Sequence, residues 1–210
     1  MQEIVLVVLA YLIGSIPTSV WVSQLFFKKD IRDYGSGNAG ATNTFRVLGS
    51  KAGIFVFLFD FIKGFISVDL AYLIASYQHD PIGLTNFQVI LGIAAVLGHI
   101  FPIWANFRGG KGIATLFGMI LAIQPLVALC LVFIFALMLI TTRYVSLSSI
   151  SASLAFPILI LFIFREPEIM YRIFAIAAAL MVVLSHHKNI NRLLSGKESK
   201  IPPFGKKREE

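Results

Sequence analysis

The distribution of apolar residues constrains the fold of this chain more than any other feature of its sequence. Of the 210 residues, 57% are hydrophobic and only 14% are charged, and the mean hydropathy is +0.82. These values lie far outside the range of soluble globular domains. The apolar residues form seven runs: 4–27, 53–77, 87–104, 113–123, 126–141, 144–164 and 173–185. The chain is therefore predicted to be an all-α integral membrane protein.

Most of these runs approach the ~20 residues that a helix needs to cross a bilayer. The run 113–123 is too short, because Gln124 and Pro125 follow it and proline opposes continuation of a helix. We predict a half-length helix there, with its glycine-rich start deep in the bundle. The first run is interpreted as a permanent span rather than a cleaved signal peptide, since Glu3 is the only side-chain charge near it.

The basic residues fall in alternate connections between the runs. Lys and Arg occur in 28–52, in 106–112, at Arg143 and in the C-terminal tail, whereas "QHDPIGLT" and "QP" contain neither. Counting the short run as a crossing gives seven helices, with every basic segment cytoplasmic and the N-terminus outside. One helix over 113–141 would instead send Arg143 and the tail outside. We predict one polytopic membrane domain over 1–200, followed by a basic and acidic tail over 201–210.

Charge and cysteine content narrow the possible partners. The formal net charge is +7, but no basic stretch interleaved with aromatic residues lies outside the apolar runs, so nucleic acid is not expected as a partner. Membrane lipids and anionic substrates suit this charge better. Cys130, the single cysteine, lies inside an apolar run and is interpreted as a packing residue. Neither a metal site nor a cofactor is predicted.

The first polar segment, residues 33–49, reads "DYGSGNAGATNTFRVLG". Its G-x-G-x-x-G spacing does not indicate dinucleotide binding, because a membrane helix rather than a strand precedes it. Since glycine permits positive φ, successive N–H groups can form an anion nest here. The alternative is a flexible, turn-rich loop. The candidate anion ligands are Gly35, Ser36, Gly37, Asn38, Thr42, Asn43 and Arg46.

The second polar segment, residues 98–115, reads "GHIFPIWANFRGGKGIAT". It lacks the glycine spacing of a Walker A loop and the Ser or Thr that would follow Lys111. The amides that begin the predicted half-helix can still bind phosphate, with Lys111 adding a full charge. Arg108, Gly109, Gly110 and Lys111 are the candidate ligands. Arg108 and Lys111 could simply set topology, but topology alone does not account for the glycines. His99 is expected to satisfy a helix-end hydrogen bond.

The third polar segment, residues 186–198, reads "HHKNINRLLSGKE". His186, Asn189 and Arg192 recur every three residues, so on a helix they lie along one side and offer imidazole, amide and guanidinium to one site. The alternative is an interfacial basic helix on anionic lipid.

Two further groups of polar residues adjoin or interrupt the apolar runs. "RYVSLSSISAS" includes Ser149, and serines at such positions commonly bond the backbone or a neighbouring helix. In "FDFIKG", Asp60 and Lys63 are three residues apart and are expected to pair with each other or with a bundle partner.

Together, "GSGNAGATN" with Arg46 following, "GHIFPIWANFRGGKGIAT", "RYVSLSS" and "HHKNINRLLSGKE" resemble the motifs of the bacterial membrane-integral acyl phosphate:glycerol-3-phosphate acyltransferases, the PlsY family. The resemblance covers nearly the whole chain. It implies seven helices in the bacterial cell (inner) membrane, a cytoplasmic site, and a functional link to an enzyme that produces acyl phosphate. It implies acyl transfer to sn-glycerol 3-phosphate, giving lysophosphatidic acid and phosphate. By position it implies that Ser36, Asn38, Arg46, Lys111, Ser149, His186 and Asn189 contact substrate, with Ser36, Arg46, Lys111, His186 and Asn189 catalytic and Glu198 structural.

The chemistry of that reaction fits the residues independently. Two phosphate-bearing dianions require fixed cations and amide donors. Because the donor is a mixed anhydride with phosphate as leaving group, positioning and charge stabilisation can supply most of the rate without an acyl-enzyme. Either His186 or a substrate phosphate would accept the hydroxyl proton.

Two other classes of protein are less consistent with the sequence. An acyl-CoA-type acyltransferase would normally show a His followed five residues later by Asp, and none of the four histidines has this partner. A transporter of organic phosphates would usually show two similar halves with corresponding interrupted helices.

Overall fold

The computed structural model describes residues 1–201, apart from the side chain of Gln78. The regular structure of these residues consists of α-helices with short 3₁₀ and π turns, in agreement with the predicted all-α class. They form two compact units, Met1–Pro125 and Leu126–Glu210, the second described as far as Ile201. The single domain predicted over 1–200 stays a prediction, and the predicted tail lies outside the described residues except for Ile201.

The first unit contains the helices α1 Gln2–Gly14, α2 Thr18–Phe27, α3 Ala41–Leu48, α4 Ser50–Asp69, α5 Pro81–Ile100 and α6 Ile113–Ile123. Within it, α1 packs along α5 and α4 packs along α6. At the second contact a side-chain carbon on Gly64 would collide with the backbone carbonyl of Thr115. Glycine lets the two backbones touch, as is common where membrane helices pack.

The first apolar run is not one straight helix. Between α1 and α2 the chain breaks at residues 15–17, because Pro17 lacks an N–H group and restricts the residue before it. The two helices together still form an apolar stretch of 26 residues. Lys63 Nζ donates to the Ile16 carbonyl at 2.9 Å, so a side chain from α4 satisfies a backbone group that the break exposes.

The predicted half-length helix is present as α6, which has 11 residues. It ends at Ile123, immediately before Gln124 and Pro125, as the sequence predicts. Its first turn is buried at Ala114, Thr115 and Leu116, which agrees with a start deep in the helical packing.

The second unit contains α7 Pro125–Thr142, α8 Val145–Ile158, α9 Ile169–Ser185 and α10 His187–Leu194. A π-helical turn, Leu159–Ile163, extends α8. Phe156, Tyr171 and Phe174 form an aromatic cluster between α8 and α9, with ring centroids 6.0 Å apart. The chain bends by 60° between α9 and α10.

Four stretches in the described range are long and apolar enough to cross a membrane, namely Gln2–Phe27, Pro81–Ala105, Pro125–Thr142 and Val145–Ile163. The bent pair α9 and α10 gives a fifth. Helix α4 has sufficient length, 20 residues, but carries four charged side chains, and α6 is short. These lengths and compositions agree with a helical membrane protein, whereas the number of crossings depends on α4 and α6 and stays a prediction.

Candidate active site

An ion pair organises the chain just before the first polar segment. The Asp30 carboxylate accepts hydrogen bonds from Arg32 Nε at 2.9 Å and from Arg32 Nη2 at 2.6 Å. The hydrogen bond from Arg32 lowers the pKa of Asp30 to about 2, so the pair is charged at neutral pH. Arg32 Nη1 also donates to the Ala105 carbonyl at 3.0 Å. This guanidinium thus ties the chain just before the first polar segment to the second polar segment.

Asn43 holds the glycine loop of the first polar segment from inside. Its side chain is almost fully buried, with 1% exposure. Asn43 Oδ1 accepts from the Ser36 amide at 2.9 Å, while Nδ2 donates to the carbonyls of Ile31 and Tyr34 at 3.1 and 3.0 Å. Asn43 therefore positions the loop in this structure, and its predicted contact with substrate stays untested.

The expected anion nest is only partly formed. Gly35 and Gly37 have the predicted positive φ, +62° and +71°. However, the Ser36 amide donates to Asn43 and the Gly37 amide donates to the Tyr34 carbonyl at 3.0 Å. These two amides are therefore used within the protein, which corrects the expectation that successive amides face an anion. The side chains of Ser36 and Thr42 are exposed, and those of Asn38 and Arg46 are half-buried, so side chains are the main candidates for anion contact.

The second polar segment folds back on the end of α5. The amides of Gly109 and Gly110 donate to the carbonyls of Ile100 and His99 at 3.1 and 3.2 Å. A side-chain carbon on Gly109 would collide with the His99 carbonyl, and one on Gly110 with the His99 ring. Close packing therefore explains these two glycines, and their amides are not the phosphate donors that the sequence predicted.

Lys111 stands at the start of α6. The next residue, Gly112, has a φ of +77° and caps the helix, and its carbonyl accepts from the Leu116 amide at 2.7 Å. Lys111 is half-buried, whereas Arg108 is exposed. The ammonium charge thus lies on the residue next to the positive end of the α6 dipole, where the two can act on the same anion.

The first and second polar segments lie against each other. Besides the bond from Arg32 to Ala105, a side-chain carbon on Gly110 would stand only 2.8 Å from the Ala39 carbonyl. Both segments belong to the first unit. The structure therefore brings Lys111 and the glycine loop of the first polar segment into one polar region.

A buried charged cluster, formed by Asp60, Lys63 and His99, lies next to the second polar segment. The predicted pair of Asp60 and Lys63 is confirmed, with Lys63 Nζ 2.8 Å from Asp60 Oδ1. The helix-end hydrogen bond expected for His99 is not observed at Nδ1, which instead lies 3.6 Å from Asp60 Oδ1. His99 of α5 therefore lies beside the Asp60 carboxylate, a neighbour that the sequence did not indicate for it.

Glu198 organises the third polar segment in the second unit. Its Oε1 accepts from Ser146 Oγ at 2.8 Å and from Asn189 Nδ2 at 2.7 Å, and its Oε2 accepts from Arg192 Nε at 2.6 Å. Asn189 and Arg192 do share one side of α10, as predicted, and Glu198 has the structural role that the resemblance implies. The carboxylate joins α8, α10 and the chain after α10.

His186 occupies the bend between α9 and α10 and is 4% exposed. Its Nδ1 lies 2.8 Å from the Val182 carbonyl. A carbonyl can only accept, so Nδ1 carries a proton, and in the neutral form of the ring Nε2 is the nitrogen with the lone pair. Ser149 is buried and donates to the Val145 carbonyl at 3.0 Å, the backbone bond typical of serine in a membrane helix. Its contact with substrate stays a prediction.

The family of the chain follows from comparison with known proteins. A family model described as glycerol-3-phosphate acyltransferase matches residues 4–196. The chain belongs to the glycerol-3-phosphate acyltransferase family. The glycerol-3-phosphate acyltransferase of Macrococcus caseolyticus is 46% identical over 201 residues, which cover 96% of this chain and 98% of the relative. That of Enterococcus faecalis is 45% identical, with 96% of this chain and 93% of the relative covered.

Solved structures agree with this family. The crystal structure of PlsY, an integral membrane glycerol 3-phosphate acyltransferase, in its glycerol 3-phosphate form has a TM-score of 0.87 at 36% identity and covers 96% of both chains. Its lysophosphatidic acid form has a TM-score of 0.83. The protein is thus an acyltransferase of lipid biosynthesis embedded in a membrane, as the resemblance implied.

The ion pair of Asp30 and Arg32 in this acyltransferase was not predicted from the sequence. Asp30 also accepts from the Arg32 amide at 3.0 Å and so caps the 3₁₀ turn Ile31–Asp33. A carboxylate two residues before an arginine, in the connection leading to a glycine-rich loop, is the signal that could have indicated it.

Glu198 gives the acyltransferase a testable pH dependence. Burial opposes its ionisation, but hydrogen bonds from Arg192, Asn189 and Ser146 outweigh burial and lower its pKa. The carboxylate therefore stabilises the folded state above the pKa of the unfolded chain, and this stabilisation is lost as the pH falls through the folded pKa. Thermal unfolding in detergent should show Glu198→Gln below wild type near neutral pH, with the gap closing as the pH falls below the ordinary pKa of a glutamate. A gap that does not change with pH would contradict this assignment.

Proposed function

We propose that this acyltransferase takes its acyl group from acyl phosphate and transfers it directly to glycerol 3-phosphate. The observation that carries the proposal is the position of Lys111 in the chain, between Gly110, which packs on the Ala39 carbonyl of the first polar segment, and the positive start of α6. A fixed cation and a helix terminus suit a phosphate leaving group and the charge that develops on it. An enzyme that forms acyl phosphate must then supply the donor.

In this reaction the glycerol hydroxyl oxygen bonds to the acyl carbon. The bond between that carbon and the phosphate oxygen breaks, and phosphate leaves with the electron pair. Ser36, Arg46 and Lys111 of the first unit are proposed as ligands of the phosphate groups, with Asn38, Thr42 and Arg108 as further donors. The hydroxyl proton goes to His186 Nε2 or to an oxygen of a substrate phosphate, both of which can accept it. In the second unit, Asn189, Ser149 and Arg192 are proposed as further substrate contacts.

A covalent acyl-enzyme is not part of this proposal. The most suitable nucleophile in the first polar segment is Ser36, which is exposed and held through its backbone amide by Asn43. An asparagine amide cannot act as a general base for the hydroxyl. A serine ester would also be less reactive than the anhydride it replaced, so the second transfer would become harder.

We expect the purified protein to convert palmitoyl phosphate and labelled glycerol 3-phosphate into labelled lysophosphatidic acid, with a metal chelator present. Palmitoyl-CoA should give no turnover, because it offers no acyl-bound phosphate for Lys111 to stabilise. Protein carrying Lys111→Ala and purified in the same way controls for contaminating enzymes. Efficient turnover of palmitoyl-CoA by the wild type alone would refute the assigned donor.

The same preparation tests direct transfer. Protein incubated with radiolabelled acyl phosphate without acceptor, then denatured, should retain no stoichiometric label. A rapid burst approaching one acyl group per chain, abolished by Ser36→Ala and discharged by glycerol 3-phosphate, would establish an acyl-enzyme instead.

We also propose seven crossings in a bacterial inner membrane, with α4 and α6 counted as spans and Met1 outside. The basic connections 28–52 and 106–112 and the segment 186–210 would then be cytoplasmic. In a Cys130→Ala background, an impermeant thiol reagent should label Gln78→Cys in intact cells and label Lys197→Cys only after lysis. Labelling of both in intact cells would rule out this orientation.

A further inference from the structure

The acyltransferase contains a buried polar cluster whose residues do not belong to the proposed substrate site. Asp60 and Lys63 on α4 are 2% and 6% exposed, and His99 on α5 is 6% exposed. One carboxylate oxygen, Asp60 Oδ1, lies 2.8 Å from Lys63 Nζ, 3.2 Å from Thr18 Oγ1 and 3.6 Å from His99 Nδ1. Helices α2, α4 and α5 therefore converge on a single atom.

The cluster adjoins the loop that carries Lys111. The His99 carbonyl accepts from the Gly110 amide at 3.2 Å, and the His99 ring fills the space where a Gly110 side chain would otherwise stand. Asp60 lies near Nδ1 of this ring, whereas Nε2 is the nitrogen nearest to Gly110. The His99 imidazole is thus placed between the buried Asp60 carboxylate and the backbone of the Gly109–Gly110 loop.

The cluster also adjoins the start of α6. Gly64, next to Lys63, packs so closely on the Thr115 carbonyl that a side-chain carbon would collide with it, and Gly118 packs in the same way on the Phe61 carbonyl. The first turns of α6 are therefore fixed against the part of α4 that bears the ion pair.

Stability alone gives little reason for an ion pair at this depth. Removing two charges from water costs free energy that can exceed the attraction between them, and well-packed apolar side chains of similar size are often as stable. What the pair does provide is a fixed arrangement of the groups around it. Thr18 Oγ1 donates to Asp60 Oδ1, Lys63 Nζ donates to the Ile16 carbonyl, and His99 Nδ1 lies 3.6 Å from the same carboxylate oxygen.

We propose that His99 is a positioning residue of the acyltransferase, which Asp60 and Lys63 orient so that its ring fixes the Gly109–Gly110 loop and hence Lys111. This inference rests on the proposed role of Lys111 for its effect on the reaction. Its effect on the loop does not depend on that role. In this arrangement His99 contacts no substrate and acts through the loop backbone.

The test measures loop position and turnover separately. Spin labels on Phe107→Cys, in the loop, and Lys51→Cys, at the start of α4, in a Cys130→Ala background report their distance distribution in detergent. We compare His99→Ala, His99→Asn, which keeps an amide donor near Asp60, and the neutral pair Asp60→Asn/Lys63→Met, which keeps the ring but removes the charges. Gln88→Ala is the matched control, because Gln88 is buried and polar on the same helix three turns earlier.

We expect His99→Ala and the neutral pair to broaden the distance distribution and to lower kcat on the order of a hundredfold, as a misplaced catalytic group does. His99→Asn should restore part of both properties, and Gln88→Ala should change neither. If His99→Ala does not fold, the neutral pair serves as the same test with the ring in place.

An unchanged distance distribution in the variants that fold would overturn the inference, whatever their activity. A broadened distribution with full turnover would support loop positioning and count against the proposed role of Lys111. Equal broadening in Gln88→Ala would also overturn the inference, because a general loosening of α5 would then explain the result.

Discussion

Replacing Lys111 with alanine is expected to lower kcat/KM by about two to three orders of magnitude, the loss typical when one preorganised electrostatic group is removed from a reaction centre. The chain holds this lysine half-buried, next to the start of α6, where water screens its charge less than on the surface. Both kcat and KM should change, because the ammonium would act on bound substrate and on the departing phosphate. Steady-state rates with palmitoyl phosphate as donor measure both.

Two further variants test whether the effect of Lys111→Ala comes from the charge at this position. Lys111→Arg keeps the charge but presents a planar group of different reach, so we expect partial activity. Lys51→Ala removes an exposed lysine of the same unit and should leave the rate close to wild type. If Lys111→Ala retained more than about a tenth of wild-type kcat/KM, the Lys111 ammonium would not be a main source of transition-state stabilisation.

Replacing Glu198 with alanine is expected to destabilise the second unit by about 3 kcal/mol and to reduce turnover at least tenfold. Three side chains, Ser146, Asn189 and Arg192, would lose the carboxylate that accepts their hydrogen bonds. Arg192 is 35% exposed, so water would replace part of its lost interaction. Thermal unfolding in detergent and turnover at a temperature well below the transition would measure the two effects.

The neighbouring residue supplies the control for Glu198. Lys197 is exposed and adjacent in sequence, so Lys197→Ala should change neither stability nor rate appreciably. Glu198→Gln keeps two polar groups of the same shape and should fall between alanine and wild type. Wild-type stability in Glu198→Ala would mean that α10 is held by other contacts.

Hydrophobicity made the helices predictable, while local hydrogen bonding decided details that a single sequence does not reveal. The short α6 was predictable because Pro125 ends the apolar run. The break after α1 was not predicted, since the run 4–27 carries no charged residue and Pro17 could have been accommodated as a kink. The start of α5 at Pro81 was missed by six residues, because the prediction followed apolar residues and not the cap that Asp80 provides through the Gly83 amide.

In the candidate site, too, the sequence indicated which residues are involved but not how they are hydrogen-bonded. Residue spacing correctly indicated that Asn189 and Arg192 share one side of α10, whereas the role of Lys111 stays a prediction. Residue type and spacing did not show that the amides of Gly109 and Gly110 are bonded to α5, because glycine is compatible both with binding an anion and with packing against a backbone. Contacts between residues distant in sequence, such as Arg32 with Ala105, require the fold.

The spacing of Asp60 and Lys63 has a consequence for the biogenesis of the protein. A single Asp or Lys at the centre of a nascent membrane helix raises its insertion free energy by about 2.5–3.5 kcal/mol. These two residues are three apart on α4, so they can pair as soon as the helix forms. The pair can therefore form within α4 itself, before α5 packs against it. His99 would join a pair that is already assembled, so the order of synthesis matches the order in which the cluster can be built.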